Sequence, residues 1–264
     1  MVDYHIIVED VLKADVNARI GQIIEIVRHT ANTWQQKRKA EEKMQDAVLG
    51  KAAETGFEQY CRKEGLSLRT WDELRDDGFL YHSSVDGFLA KVESAQRLNS
   101  EQFLLAARQA KPEDQAYFNS NFLRRCENEP RIYGYEVKST RIASRHMVDG
   151  ELAYNTILND DFMVYPRVRR VPKGQFTNQL KAQLMRPEEL EAIKVKTPHL
   201  LIRAYMQEEN DRYKVHLVRW ITREDFFNKA MVKRMSRPGK SDEALYYAVQ
   251  LSEGHPLFEL GNNI

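Results

Sequence analysis

An acidic and a basic residue stand two positions apart in the segment Tyr133–Thr140, whose sequence is YGYEVKST. The aromatic, valine and threonine residues of this segment favour a β-strand. Because strand side chains alternate between two faces, Glu136 and Lys138 are predicted to share one face while Val137 points into a core. A face that carries both groups can hold a hard cation and an anion side by side. This pair is therefore the first candidate for a catalytic site.

Two further segments that precede this strand carry candidate acids. Asp86 stands before a glycine, in the segment Ser84–Gly87, where an Asp-Gly sequence is typical of a bend between strand pieces. A helix is predicted over residues 47–61 and should stop near Gly65, which suits a left-handed position after a helix. It carries Glu54 and Glu58 one turn apart on one face. We favour Glu58 as the inward-pointing acid, because it lies between Phe57 and Tyr60 at the end of the helix that should be more buried.

A Glu-x-Lys strand, preceded by an acid at an Asp-Gly bend and by a glycine-containing helix with an acid, resembles the PD-(D/E)xK nuclease superfamily, which has the fold of many restriction endonucleases. The resemblance implies that Asp86 and Glu136 bind Mg²⁺, or Mn²⁺ as a substitute, and that Glu58 contributes to the metal site. It implies that Lys138 activates or orients the attacking water. The function implied is a Mg²⁺-dependent DNA endonuclease, in restriction, defence or phage conflict.

The sequence departs from the superfamily pattern at two points. Position 85 is valine where the motif has proline, and the segment between Asp86 and Glu136 is longer than in compact members. With a different strand register, the second metal ligand would be another acid before Glu136; the candidates are Asp76, Asp77, Glu127 and Glu129. The alternative functions are an exonuclease or RNase of the same superfamily, and a nucleic-acid-binding or assembly protein without catalysis.

A basic stretch that follows the candidate strand is the best predicted DNA contact. Residues 164–186 contain no Asp or Glu, and their prolines and glycine favour loops. Positive side chains in such a loop can contact phosphates. The predicted DNA-binding residues, with one that directly follows the strand, are Arg141, Arg167, Arg169, Arg170, Lys173 and Lys181.

Composition excludes some classes of protein and leaves others open. The 264 residues carry a formal net charge of +1, so binding to an anionic partner must depend on local clusters of positive charge. Cys61 and Cys126 have no CxxC or Cys/His spacing, which argues against structural zinc and a disulfide framework. No signal-peptide pattern and no apolar run of about 20 residues is evident, and we expect a cytoplasmic protein.

The chain is predicted to be α/β or α+β, with a central mixed sheet flanked by helices and a restriction-endonuclease-like core. Residues 1–46 are predicted as an N-terminal helical elaboration, because apolar residues from Val16 to Trp34 follow helical spacing. Residues 47–264 are predicted as the nuclease core, with a helical insertion at about 95–127. Paired strands are expected over 199–206 and 213–221, followed by a helix that starts at Thr222. The N-terminal helix is also compatible with a homodimer.

Overall fold

The structure, a computed structural model, describes residues 5–20, 40–75, 83, 85–110, 119–128, 131–149, 151–236 and 241–264. Its centre is a six-stranded sheet with the strand order β1-β10-β9-β4-β3-β2. β4 and β9 run parallel, and the other neighbouring strands are antiparallel. The six strands are β1 (Ile6–Leu12), β2 (Ser67–Thr70), β3 (Gly87–Ala90), β4 (Tyr133–Arg141), β9 (Leu200–Glu208) and β10 (Arg212–Thr222). The predicted α/β class with a central mixed sheet is confirmed.

One long helix packs on the first face of this sheet. Residues 13–20 form helix α1 as far as it is described, and α2 runs over Ala40–Lys63. Phe57 of α2 is buried against Tyr135 of β4, with their rings 5.0 Å apart. A Cβ on Gly56 would lie only 2.8 Å from the side chain of Val215 on β10. The second glycine of the predicted helix thus allows α2 to approach the sheet closely.

A second, smaller sheet packs on the other face. β12 (Asp242–Gln250) pairs with β11 (Met231–Ser236), β7 (Asp161–Val164) and β8 (Arg170–Pro172). Tyr247 of β12 and Phe226 of helix α10 (Arg223–Lys229) share a core with Leu201 and Tyr205 of β9. The central sheet is therefore covered on both faces.

Short helices and one hairpin complete the described structure. A third core joins Phe88 of β3 to Trp71, Phe103 and Phe122. Around this third core lie α3 (Trp71–Leu74), α4 (Ala95–Leu98), α5 (Glu101–Gln109) and α6 (Ser120–Asn128). Elsewhere are β5 (Met147–Val148), β6 (Glu151–Leu152), α7 (Tyr154–Ile157), α8 (Asn178–Leu184), α9 (Pro187–Lys194) and α11 (Leu260–Asn263). Among the described residues, no helix is long and apolar enough to cross a bilayer.

Several local predictions are confirmed. The strands predicted over 199–206 and 213–221 are β9 and β10, and they pair with each other. Gly65 follows α2 with φ of 72°, as expected for a left-handed residue after a helix. The Thr222 hydroxyl caps α10 by accepting a hydrogen bond from the Asp225 backbone N–H at 3.0 Å.

The N-terminal segment differs from its predicted organisation. The predicted boundary between residues 46 and 47 falls inside α2. β1 extends the central sheet by pairing with β10, so residues 6–12 are strand and not helical elaboration. The run of β-branched residues Ile6, Ile7 and Val8, followed by Val11, is the signal for this edge strand. Most of the predicted 16–34 helix lies outside the described residues.

Candidate active site

Asp86 lies where β3 and β4 separate. The pairing of these strands ends at Gly87 and Tyr135, while β4 continues to Arg141 along β9. The Asp86 backbone N–H donates to the Tyr135 carbonyl at 2.9 Å. One residue further along β4, the Val137 N–H donates to Asp86 Oδ2 at 2.7 Å. The carboxylate therefore replaces the next strand residue in the ladder and holds the fork between β3 and β4.

The neighbours of Asp86 explain why a glycine follows it. A Cβ on Gly87 would meet the Arg69 carbonyl oxygen and the Tyr135 hydroxyl. The Asp86 carbonyl accepts a hydrogen bond from the Trp71 N–H at 2.8 Å. The second of the two predicted strand pieces is β3, which begins at Gly87, whereas most of the first piece lies outside the described residues. At Gly87, β3 lies so close to β2 and β4 that a side chain at this position would clash with both.

Glu136 and Lys138 lie on β4 beside this fork. Tyr135 and Val137 belong to the core under α2, so strand alternation places Glu136 and Lys138 on the opposite face. The two side chains form an ion pair with each other. The Lys138 side chain remains 37% exposed and that of Glu136 only 13%. Part of the Lys138 side chain is therefore open to solvent, while its ammonium group is paired with Glu136.

The acid that α2 contributes to this neighbourhood is Glu54. Its carboxylate accepts a hydrogen bond from Lys51 Nζ at 2.5 Å, and Lys51 Nζ also lies 2.6 Å from Asp72 Oδ2. Glu54 is buried and interacts electrostatically with Asp86. Lys51 thus lies among three acids, Glu54, Asp72 and Asp86, and balances part of their charge.

Glu58, the favoured acid of the sequence analysis, is held by arginines instead. Its two carboxylate oxygens accept hydrogen bonds from Arg19 at 2.6 and 2.7 Å, and Arg62 lies 3.5 Å away. Glu58 is 1% exposed. This pair ties α1 to α2, so the geometry favours Glu54 over Glu58 as the helix acid of the site. The role of Glu58 in metal binding stays a prediction.

Burial and electrostatic repulsion both disfavour the charged form of the acids at the site. Burial raises the pKa of Asp86 well above its ordinary value, and the nearby charges of Glu54 and Glu136 raise it further. Burial also raises the pKa of Glu54, while Lys51 opposes the change. A positive charge placed among these carboxylates would relieve their repulsion.

Lys138 responds to the same charges in the opposite direction. Burial alone would lower the pKa of Lys138, but Glu136, and then Asp86, outweigh burial and raise it. The lysine is therefore a stable ammonium ion in this arrangement. Its chemistry is that of a cation and hydrogen-bond donor.

Asp86, at the fork, interacts with Glu54 from the α2 side and with Glu136 from the opposite face, and carboxylate oxygens such as these suit a hard divalent cation. Across the residues that the structure describes, no three His, Cys, Asp or Glu side chains converge as a ready-made metal site. Glu136 and Glu54 each point to a lysine. A metal ion would thus have to replace ammonium groups as the partner of these acids.

One of the other acids considered as second ligand lies in the described part of the chain, and it does not join this cluster. Glu127 is engaged by Arg223, which donates two hydrogen bonds at 3.0 and 2.6 Å. Asp76, Asp77 and Glu129 lie outside the described residues. Of the two described acids considered as second ligand, Asp86 and Glu127, the fold brings Asp86 to Glu136 and Lys138.

The predicted DNA-binding residues occupy two regions. Arg141 is exposed at the far end of β4, five residues and roughly 16 Å beyond Glu136. The basic stretch starts nearer, because Tyr165 interacts electrostatically with Lys138. Arg169 lies 5.7 Å from the centre of the Tyr165 ring. The remaining residues of the stretch, on and around β8 and α8, are exposed, and they are Arg167, Arg170, Lys173 and Lys181.

Sequence reasoning missed two cations near the site. Lys51 lies one helical turn before Glu54, and its role depends on the contact with Asp72, which is distant from α2 in sequence. Arg203 is buried at the centre of β9, opposite Lys138 in the strand register. Its signal in the sequence is an arginine inside the apolar run HLLIRAYM.

No protein-family model matches this chain, and comparisons with curated proteins and with solved structures also give no match. The resemblance to the PD-(D/E)xK superfamily therefore rests on the residues of the chain and on the arrangement described above.

Proposed function

We propose that this chain is a metal-dependent nuclease of the PD-(D/E)xK type that hydrolyses DNA phosphodiester bonds. The observation that carries the proposal is the hydrogen bond between the Asp86 carboxylate and the Val137 N–H, at 2.7 Å. It joins residues 51 positions apart in sequence and places an acid beside the Glu136-Lys138 pair. An acid at a strand fork, next to Glu-x-Lys, is the arrangement that the resemblance implies.

The residues available have the roles that phosphodiester hydrolysis requires. Asp86 and Glu136, with Glu54 from α2, would hold Mg²⁺ or Mn²⁺. When bound, such an ion neutralises charge on the phosphate and lowers the pKa of a bound water. Lys138, as an ammonium ion, would bind a non-bridging phosphate oxygen and orient the attacking water by a hydrogen bond.

The surroundings of Lys138 favour a nucleic acid as substrate. Tyr165 and Arg169 begin a stretch without acids that lies next to the exposed ammonium group. Within the described part of the chain, no carboxylate pairs with Arg167, Lys173 or Lys181. Unpaired exposed cations of this kind support phosphate-backbone contacts without base recognition.

The proposal is tested by incubating the purified protein with circular DNA, linear DNA and RNA, each with Mg²⁺, Mn²⁺ or EDTA. We expect nicking or linearisation of circular DNA with a divalent cation and none in EDTA. Lys138→Ala should lower the rate by about 100-fold or more, because one donor to a developing charge is lost. DNA retention in a gel-shift assay should be largely kept.

Lys229→Ala is the matched control, since Lys229 pairs with the exposed acid Glu253 at 2.9 Å, away from β4. It should cleave like the wild type. Cleavage restricted to linear DNA or to RNA would indicate an exonuclease or RNase. Binding of DNA without any cleavage would contradict the proposal and favour a non-catalytic nucleic-acid-binding protein.

A further inference from the structure

Arg203 is a buried cation without a carboxylate partner in the described residues. It is 5% exposed, yet none of its nitrogens lies within ion-pair distance of a described Asp or Glu. Its Nη2 donates to Thr140 Oγ1 at 2.8 Å, and Nε has no hydrogen-bond partner. Asp160, beyond Tyr205, accepts from the Tyr205 hydroxyl at 2.5 Å and not from Arg203. Burying a charge without such compensation is costly, so the position needs a further explanation.

The strand register places Arg203 in a row of three cations. Lys138 of β4 is opposite Arg203 of β9, and Arg203 is opposite Arg219 of β10. Residues directly opposite in a sheet point to the same face, about 5 Å apart. Like charges in these positions repel each other. We call Lys138, Arg203 and Arg219 the cationic row.

An anion would balance the cationic row, and phosphate matches it best. Glu136 neutralises Lys138 at one end of the row, and the Arg219 guanidinium lies 5.6 Å from the Tyr154 ring at the other end. Among the described residues, Arg203 at the centre contacts the Thr140 hydroxyl and the neutral Tyr205 side chain, whose ring centre lies 5.1 Å away. A guanidinium with free donors is suited to bind phosphate oxygens in pairs.

We propose that Arg203 binds a backbone phosphate of the nucleic acid, next to the phosphate held at Lys138. The inference rests on the proposed function, and it extends the substrate contact across the sheet from β4 to β9. The row is open to solvent at its Lys138 end, where the side chain is 37% exposed. Arg203 is thus a substrate-binding residue, and it sets the direction in which the strand leaves the site.

The test measures binding of a fluorescent DNA duplex by anisotropy in EDTA and in Ca²⁺, at several salt concentrations. Arg203→Met should weaken binding roughly tenfold or more, because a charged hydrogen-bonding contact is lost. The slope of log K against log salt should become shallower by about 0.9, the value for one phosphate contact. Arg203→Gln, which keeps a hydrogen-bond donor for Thr140, should show the same changes. It replaces Arg203→Met in the test if the Met variant does not fold.

Arg212→Met is the control, because Arg212 is on β10 but pairs with Asp10 and Asp211 at 3.3 and 3.1 Å. It removes the same charge and should leave affinity and slope unchanged. Wild-type affinity and slope in both folded Arg203 variants would overturn the inference, as would a wild-type protein that binds no nucleic acid. If Arg203→Met weakens binding but the wild type cleaves nothing, the phosphate site stands and the hydrolytic function fails. If the wild type cleaves and Arg203→Met binds normally, only the phosphate site fails.

Discussion

Asp86 has a structural and a chemical part in the candidate site. Its carboxylate completes the ladder of β4 through the Val137 N–H, which fixes the side chain beside Glu136. Burial raises the pKa of Asp86, and the nearby charges of Glu54 and Glu136 raise it further. The same residue thus holds the fork and creates the negative potential that a cation would relieve.

Substitution can distinguish the roles of Glu54 and Glu58, the two candidate acids of α2. Glu54→Gln should raise the Mg²⁺ concentration needed for half-maximal cleavage at least tenfold, because it removes one carboxylate from the cluster. Glu58→Gln should leave that concentration unchanged but lower the free energy of unfolding by about 2 kcal/mol, since its bonds to Arg19 are charge-assisted. Cleavage at graded Mg²⁺ and urea unfolding measure the two effects. The reverse pattern would restore Glu58 as the metal ligand.

The sequence was sufficient to predict that Glu136 and Lys138 share one face of a strand, because this depends only on strand alternation. The choice between Glu54 and Glu58 was not predictable, because both lie on one helix face. It is decided by Arg19 and Lys51, whose partners are set by how α1 and α3 pack on α2.

At the scale of elements, α2 is the support that holds Glu54 near β4. Its two glycines, Gly50 and Gly56, have different surroundings. A Cβ on Gly50 would meet nothing within 4 Å, whereas a Cβ on Gly56 would lie 2.8 Å from Val215 atoms. The approach of α2 to β10 therefore depends on one glycine and not on the other.

Alanine substitutions in α2 test this difference. Gly50→Ala should raise the free energy of unfolding by about 0.5–1 kcal/mol, because alanine favours a helix more than glycine does. Gly56→Ala should lower it by about 1–3 kcal/mol through overpacking against Val215. Urea unfolding followed by tryptophan fluorescence gives both values. Equal effects of the two substitutions would show that α2 does not pack closely on β10.

The pairing of β1 with β10 carries a titratable group. His216 of β10 is 3% exposed and neither ring nitrogen has a hydrogen-bond partner. Burial, then the charges of His5 and Lys214, lower the pKa of His216 to about 4. Above pH 6.5 the histidine is neutral in both the folded and the unfolded chain, so its titration does not change the free energy of unfolding. As the pH falls from 6.5 to 4, the unfolded chain gains a proton that the folded chain does not, and stability is lost.

His216→Phe should remove this acid sensitivity. The wild type should lose about 3 kcal/mol of stability from this group between pH 6.5 and pH 4, and the variant should not. The measurement is the difference in unfolding free energy between wild type and variant, at pH 7.5 and at pH 4. His255→Phe, at a ring 42% exposed, is the control. A difference that does not change with pH would contradict the prediction.

Element prediction succeeded where the sequence pattern was strong and local. The apolar runs of β9 and β10, Gly65 after α2 and the Thr222 cap are such signals. β11 was not predicted, because Met231–Ser236 carries two cations in six residues and has no strong strand pattern of its own. Its strand conformation comes from pairing with β12, a contact that no local pattern shows.

At the scale of the whole molecule, the candidate site lies between layers whose packing could not be predicted from the sequence. The fork belongs to the central sheet, Glu54 to the helix on one face, and Tyr165 to the segment between β7 and β8 of the second sheet. Sequence reasoning placed the second acid and the Glu-x-Lys pair, but it could not place the cationic row. That row exists only through the register of three strands.

Metal binding should stabilise the whole chain. A divalent cation that binds only the folded state at 100 times its Kd adds about 2.7 kcal/mol. In a thermal unfolding scan, Mn²⁺ should therefore raise the Tm of the wild type by roughly 5 °C or more. Asp86→Asn should show a much smaller rise, and Glu253→Gln, at an exposed surface pair, should behave as the wild type does. An equal rise in all three proteins would place the metal elsewhere.

The central claim is that Asp86, although distant in sequence, shares one catalytic site with Glu136 and Lys138. The most direct measurement is the rate of Mg²⁺-dependent cleavage of circular DNA by wild type and Asp86→Asn, with folding checked by thermal unfolding. Asparagine keeps an oxygen to accept the Val137 N–H but removes the charge. We predict cleavage by the wild type and a loss of at least 100-fold in the variant. Cleavage by folded Asp86→Asn at the wild-type rate would contradict the account.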